Sequence, residues 1–359
     1  MARVEINFLV RSQTDELVLR ALMRHRRLTR AELAAEIGIS KPTAGESVRR
    51  LTERGLVADT GERTPGGRGM GRVGQYYALA DGIGTALAVS IAPAGIVAER
   101  VDAYGETLSR AGRSIERPAR PPAVAAALRE VAAEAGTPPP RLAVVSAADP
   151  VDRASGRLVQ LPDSPFLVGS LDPVEILSGY VDGPVTVDND VNWAARAEPG
   201  PTDFAYLFLS EGLGCAIVGD GEVRRGHTGL AGEIAHVLTA GPGGRAAPFI
   251  EVFADLGLRR PSSSAIDVDR LLTTGPAERA AIARAVAGVV AAVVALADPH
   301  EIVVGGAWGP SLLPEIATAV ASTPRPVPLR PAALTGEPPL IGARRAALDR
   351  LRALITESA

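Results

Sequence analysis

Apolar positions at helical spacing open the chain. Leu17, Ala21 and Leu22 follow the polar run Thr14, Asp15, Glu16 and fall on one side of a 3.6-residue period, so the pattern predicts a capped amphipathic helix from Thr14 to about Arg26. Thr29 with Glu32 three positions on is a capping box, and Leu33 and Ile37 form the buried stripe of a short second helix ending at Gly38. Ser40 can cap a third helix with Pro42 in its first turn, Val48 and Leu51 inward and Gly55 as its stop. Three short helices with a glycine turn between the second and third have helix-turn-helix spacing. With Val48 and Leu51 inward, Lys41, Thr43, Ser47 and Arg50 are expected near the outer face, suited to a major groove, and Gly45 leaves room for a close backbone. Next come Leu56 and Val57, a Gly-rich tip carrying Arg63, Arg68 and Arg72, then Tyr76, Tyr77 and Leu79. That is strand, tip, strand: a wing whose arginines can follow phosphates or enter a narrow minor groove. A plain three-helix bundle followed by a loose linker is the alternative for this region.

From about Asp81 the pattern changes. β-rich runs (TALAVSIA, RLAVVSAA, GPVTVDND, AYLFLS, EIVVGGA) alternate with helical segments, which is α/β patterning. An Ala-rich stretch from about Ala277 to Ala297 reads as a long, closely packed helix stopped at Pro299. Composition adds that the 359 residues are 46% hydrophobic and 22% charged, the balance of a folded, soluble chain of two or three domains. The net charge of -3 conceals an asymmetry: residues 1–72 hold 14 Lys/Arg against 9 Asp/Glu, or +5, and the rest carries -8. A basic end and an acidic body suggest different partners. One cysteine, Cys215, cannot form an internal disulfide, and the first residues, MARVEINFLVRSQTDE, lack the apolar core of a signal peptide. No run approaches ~20 uninterrupted apolar residues. A cytoplasmic location without a membrane partner is the expectation.

Four segments then become recognisable: the head with its GGR tip, VDNDVNWAARAE, LSEGLGCAIVGDGEVRRGHTGLAGEIAHV and ADPHEIVVGG. Together they resemble the ROK family (repressors, open reading frames and kinases), in the branch of regulators, such as the xylose and N-acetylglucosamine repressors, that joins a winged helix to a sugar-kinase-like body. The resemblance implies an α/β fold in three parts: a winged helix-turn-helix over 1–80, a first lobe of an actin-like (ribonuclease H-like) body over 81–186, completed by a returning helix at 340–359, and a second lobe over 187–339. It also implies that Asn189 and Asp190 of the NDxN segment, Glu233 and His236 of the GExxH segment, and Glu251 of PFIEVF bind sugar hydroxyls. In a kinase Asp190 would be the base that deprotonates the attacking hydroxyl.

Departures from the family pattern change that picture. Where kinases carry a DxGGT phosphate loop this chain has LAVSIAPAGIV: Ser90 stands in place of the Asp, and Ala92 and Pro93 replace glycines, Pro93 lacking an N–H. The DGIGT at 81–85 precedes the strand and reads as linker. Glu211 in LSEGLG sits where phosphate would pass, although Gly305 and Gly306 of the adenosine-side segment remain. The cysteines of the family's zinc cluster are missing from GPGGRAAPFIE, so no zinc site of that kind is expected, and packing of Phe249, Ile250 and Phe253 is the expected substitute. In VSAADPVD, Ser146 and Asp149 alter another glycine-rich loop of the sugar cleft, reshaping or closing it. The expectation is a DNA-binding regulator, a repressor of carbohydrate genes acting as a homo-oligomer on a double-stranded operator. It answers to a sugar or sugar derivative and has no cofactor, no catalytic residue and no kinase activity. A sugar kinase with an appended head, and a regulator whose body binds no sugar, are the alternatives.

Overall fold

The computed structural model describes residues 2–64, 73–161 and 165–359. The head begins with α1 (Ala2–His25), a single helix that passes straight through Thr14, where the sequence pattern places a start. A short strand β1 (Arg27–Thr29) follows, then α2 (Arg30–Ile37) and α3 (Lys41–Glu53). The local signals act as their chemistry requires. The Thr29 hydroxyl accepts from the Glu32 amide while the Glu32 carboxylate accepts from the Thr29 amide, and Gly38 ends α2 in the left-handed region at φ 75°. Strands β2 (Val57–Arg63) and β3 (Gln75–Leu79) form the wing, with β3 between β1 and β2 in one antiparallel sheet. Arg68 and Arg72 lie outside the described residues.

The body repeats one topology. Its first unit runs β4 (Ala86–Ala92), β5 (Gly95–Val101), β6 (Thr107–Arg113), α4 (Pro121–Glu134), β7 (Ala143–Ala147), α5 (Pro173–Leu177), β8 (Val185–Asn189) and α6 (Asp190–Ala197). The second runs β9 (Phe204–Leu209), β10 (Leu213–Gly219), β11 (Glu222–Val223), the ribbon β12 (Leu238–Ala240) and β13 (Ala246–Pro248), α7 (Phe249–Asp255), α8 (Val268–Leu272), α9 (Pro276–Ala297), β14 (Glu301–Gly305), α10 (Leu313–Ala321) and β15 (Leu329–Pro331), before α11 (Pro338–Glu357). The sheets have strand orders β6-β5-β4-β7-β8 and β11-β10-β9-β14-β15. In each, an antiparallel three-strand meander is extended by two parallel strands. This is the duplicated, actin-like α/β body that the resemblance implies. The expected lobe boundary at 186/187 is corrected: it falls inside β8, which pairs with β7 from Val185 to Asn189, so the first sheet ends only there.

Side chains on β4 alternate between two cores. Leu87, Val89 and Ile91 face α4, while Ala86 and Ala88 face α11. The second of these cores is continuous with the head, so that Leu19 and Leu22 of α1 and Leu51 of α3 share it with Trp193 and Leu351. Arg54 donates to the backbone carbonyls of Ser358 and Ala359 at 2.6 Å, a further tie between head and body. Helix α9 is long and apolar enough to cross a membrane, but Ile282, Val286, Val289, Val290 and Val293 are buried in the second lobe.

Candidate ligand cleft and nucleic-acid interface

The ends of the parallel strands deliver side chains to the space between the lobes, where ligands of open α/β sheets bind. Ser90 lies near the end of β4, Asn189 closes β8 and caps α6, and Gly305 closes β14. They line a cavity of about 780 Å³, together with Asp149, Asp190, Glu233 and His236. That volume suits a small polar ligand.

Each of these groups is held by local geometry. The Asn189 carbonyl oxygen caps α6 by accepting from the Val191 amide at 3.0 Å, while its NH2 faces the carbonyls of Ala147 and Asp149 at 3.4 and 3.3 Å. Asn189 therefore braces the loop after β7 as well as lining the cleft. Asp190 accepts from the same Val191 amide at 2.8 Å. Glu233 follows Gly232, whose φ of 96° and contact with β10 exclude a side chain: a Cβ there would lie 1.8 Å from the Cys215 carbonyl oxygen. The Gly232 carbonyl in turn accepts from the Cys215 amide at 3.0 Å, anchoring the loop that carries Glu233. His236 ends the short turn that Glu233 opens and is exposed toward the cleft.

Three carboxyls titrate far from their usual range. Burial pushes Asp190 up to about 7, with the charges of Asp149 and Glu233 adding to it. Burial also pushes Asp149 up to about 7, opposed by the Leu167 amide and reinforced by Glu233. Burial alone raises Glu233 to about 7.

Glu251 is corrected. It lies on α7, where Phe249, Ile250, Val252 and Phe253 take the inward positions, and the helical step turns it away from the cavity into an ion pair with Arg259 at 3.0 Å. Phe249 and Phe253 stack edge to face at 5.5 Å and Phe253 meets Trp308 at 5.6 Å, a fully buried cluster behind the loop. Asp149, which the sequence marks as reshaping or closing the cleft but not as a ligand-binding residue, lines the cavity, and its nearness to Glu233 needs the fold. On the opposite side of the cavity Glu211 is not a bare carboxylate. Arg117 of the first lobe and Arg260 of the second both pair with it, and Arg117 also donates to the Pro93 carbonyl at 3.0 and 3.1 Å.

At the other end of the molecule, Lys41 and Thr43 are exposed at the start of α3, where Ser40 accepts from the Thr43 amide. Ser47 and Arg50 are corrected. The inward stripe of α3 is Ala44, Ser47, Val48 and Leu51, so Ser47 is 0% exposed and its hydroxyl donates to buried Asp15. Arg50 reaches the same carboxylate through Nε at 3.1 Å and Nη2 at 2.7 Å. The outward arginine is Arg49, which bridges Glu46 and Glu53 on the helix surface. Arg63 is exposed on β2, paired with Asp59 at 3.2 Å.

Comparisons with known proteins agree with this layout. Residues 11–58 match a winged helix-turn-helix DNA-binding family and residues 88–249 match the ROK family. The chain joins a winged helix-turn-helix segment to a ROK family segment. A ROK family transcriptional regulator, homologous to the E. coli MLC protein, superposes with a TM-score of 0.63 over 98% of this chain and 100% of its own, at 18% identity. A ROK glucokinase from Streptomyces griseus, solved with glucose and AMPPNP, has a TM-score of 0.56 over 74% of this chain and 99% of its own, at 23% identity. In sequence, the bifunctional enzyme NanE/NanK of Brucella melitensis is 33% identical over 147 residues, 37% of this chain and 28% of that enzyme. The chain thus spans little more than a quarter of that relative.

Proposed function

We propose that the chain is a cytoplasmic transcriptional repressor of carbohydrate-use genes that binds operator DNA as a homodimer and answers to a sugar bound between its lobes, without phosphorylating it. The observation that carries this reading is a winged helix-turn-helix whose hydrophobic core is continuous with the lobe that forms one wall of the cleft. A sugar that favours a closed cleft can then move the two heads of a dimer relative to DNA half-sites, by no more than its differential affinity for the two states. Loss of phosphoryl transfer is supported at the strand ends. Ser90 replaces the acidic residue, Pro93 offers no N–H, and Arg117 and Arg260 are taken up by Glu211.

Selection of random duplex DNA by the purified protein tests the reading. An inverted repeat should be enriched, and a cognate sugar should change its affinity. Failure to enrich any sequence at low salt would overturn it. Lys41→Ala should weaken operator binding about tenfold and flatten the log–log salt dependence by about one unit, as loss of one phosphate contact does. Glu233→Ala should abolish the sugar response and leave ligand-free DNA binding unchanged, and a normal response in that variant would remove the cleft from the mechanism.

The second reading, a sugar kinase with an appended head, is favoured by one feature. Asp190 opens a helix at the cavity with a pKa near 7, the value a general base needs. ATP-dependent phosphorylation of a panel sugar, lost in Asp190→Ala, would establish it in place of the first.

A further inference from the structure

The cleft has an uneven charge distribution. On one side both carboxylate oxygens of Glu211 have a guanidinium partner. On the other side Asp149 is 2% exposed, and its carboxylate has no side-chain partner among the described residues, with only the Leu167 amide near it. Asp190 and Glu233 share that end of the cavity and their charges act on one another, and no arginine or lysine among the described residues pairs with any of the three. A buried carboxylate is ordinarily paired. The three do not converge into a metal-holding group among the described residues.

We propose that Asp149 makes the effector site selective for a polyhydroxylated primary amine, an amino sugar whose nitrogen carries no acyl group, with the ammonium seated on the Asp149 carboxylate. The inference rests on the reading of the cleft as a sugar site and adds the charge of its ligand. An ammonium brings three N–H donors and the compensating charge in one group, whereas a hydroxyl brings one donor and no charge. Both oxygens are covered in the ligand-free protein, so the ammonium enters as the wall around Asp149 yields. The Asn189 side chain holds the Asp149 backbone in place, so the carboxylate is presented on a braced loop. An N-acetylated sugar would put a neutral amide and a methyl group against the unpaired carboxylate, leaving its charge buried and adding bulk.

Isothermal titration of the full chain at pH 7.5 with glucosamine, galactosamine and mannosamine, each beside its N-acetyl derivative and its neutral parent hexose, tests the proposal. One free amine should bind at least about tenfold more tightly than both of its counterparts. In Asp149→Asn that ratio should fall to about one, while any weak binding of the neutral hexose persists. Equal binding of the neutral or acetylated partner by the wild-type protein would overturn the charge selectivity and leave the sugar reading standing, as would a preference for amine that survives in Asp149→Asn. Absence of binding in all three series would overturn both. The wild-type ratio is read independently of how the variant folds.

Discussion

Asp15→Ala is expected to destabilise the head by about 3 kcal/mol and to abolish operator binding, although Asp15 touches no DNA in any pose that presents α3 to a groove. Asp15 is 3% exposed and serves as the common acceptor for the Ser47 hydroxyl and the Arg50 guanidinium, which join α1 to α3. Removing it leaves a buried hydroxyl without a partner and a mostly buried cation without a counterion, the arrangement in which one-sided loss costs most. The Arg50 side chain keeps 26% exposure, so water recovers part of the loss, and the lower end of the range applies. Amide hydrogen exchange in α1 and α3 should then quicken by about two orders of magnitude, with the second lobe unaffected. The double variant Asp15→Ala/Arg50→Ala should cost less than the sum of the single changes, because the stranded cation is gone. The competing role for Arg50, a phosphate contact, has a different signature. If Arg50→Ala flattened the salt dependence of DNA binding while leaving exchange in α3 unchanged, the pairing with Asp15 would not be its task.

The same three residues show where the sequence was legible and where it was not. Signals that act within one turn of helix appear as read: the Thr29–Glu32 box, the Ser40 cap and the Gly38 stop all sit where the pattern places them. The misreadings come from partners far apart in sequence. Thr14, Asp15 and Glu16 look like a helix start because short polar residues cap helices, yet α1 runs through them and Asp15 spends its acceptors on residues 32 and 35 positions away. Setting only Val48 and Leu51 inward leaves Ser47 near the outer face, but its spacing from Ala44, Val48 and Leu51 sets it inside. Glu251 follows the same logic in reverse: a motif position points it at the cleft, and the four apolar neighbours on α7 turn it away. Five body strands, β4, β7, β8, β9 and β14, were legible because each lies in an apolar run, whereas the edge strand β6, TLSRAGR, is polar and half exposed and gives no such signal. The ring of carboxyls around the cavity was only partly so. Asp190 and Glu233 stand in recognisable motifs, while Asp149 becomes chemically unusual only when the fold buries it near Glu233.

That burial has a cost that varies with pH. A carboxyl whose folded pKa is raised from 3.8 to about 7 is protonated in the folded protein while already ionised in the unfolded chain. The folded state therefore binds more protons between about pH 4 and pH 7, and stability falls as pH rises through that window. Below pH 4 both states hold the proton and Asp149 costs little; above pH 7 the full penalty of a buried unpaired charge is present. Asp149→Asn removes this dependence, so the ligand-free variant should melt on the order of 5 °C above the wild-type protein at pH 8, a gain of about 2 kcal/mol after allowing for the amide's own desolvation. The two proteins should converge as pH approaches 4. Asp190 and Glu233 remain in the variant and keep part of the downward slope, since burial raises both. Loss of the Asp149 charge should also let Asp190 titrate at a lower pH, because that charge is one of the causes holding it up. A melting difference that is constant from pH 4 to pH 8 would mean that Asp149 already has a counterion in the ligand-free protein. A variant that melts lower at pH 8 would mean that the carboxylate is structurally engaged there, and the unpaired acceptor that the ammonium is proposed to meet would not exist.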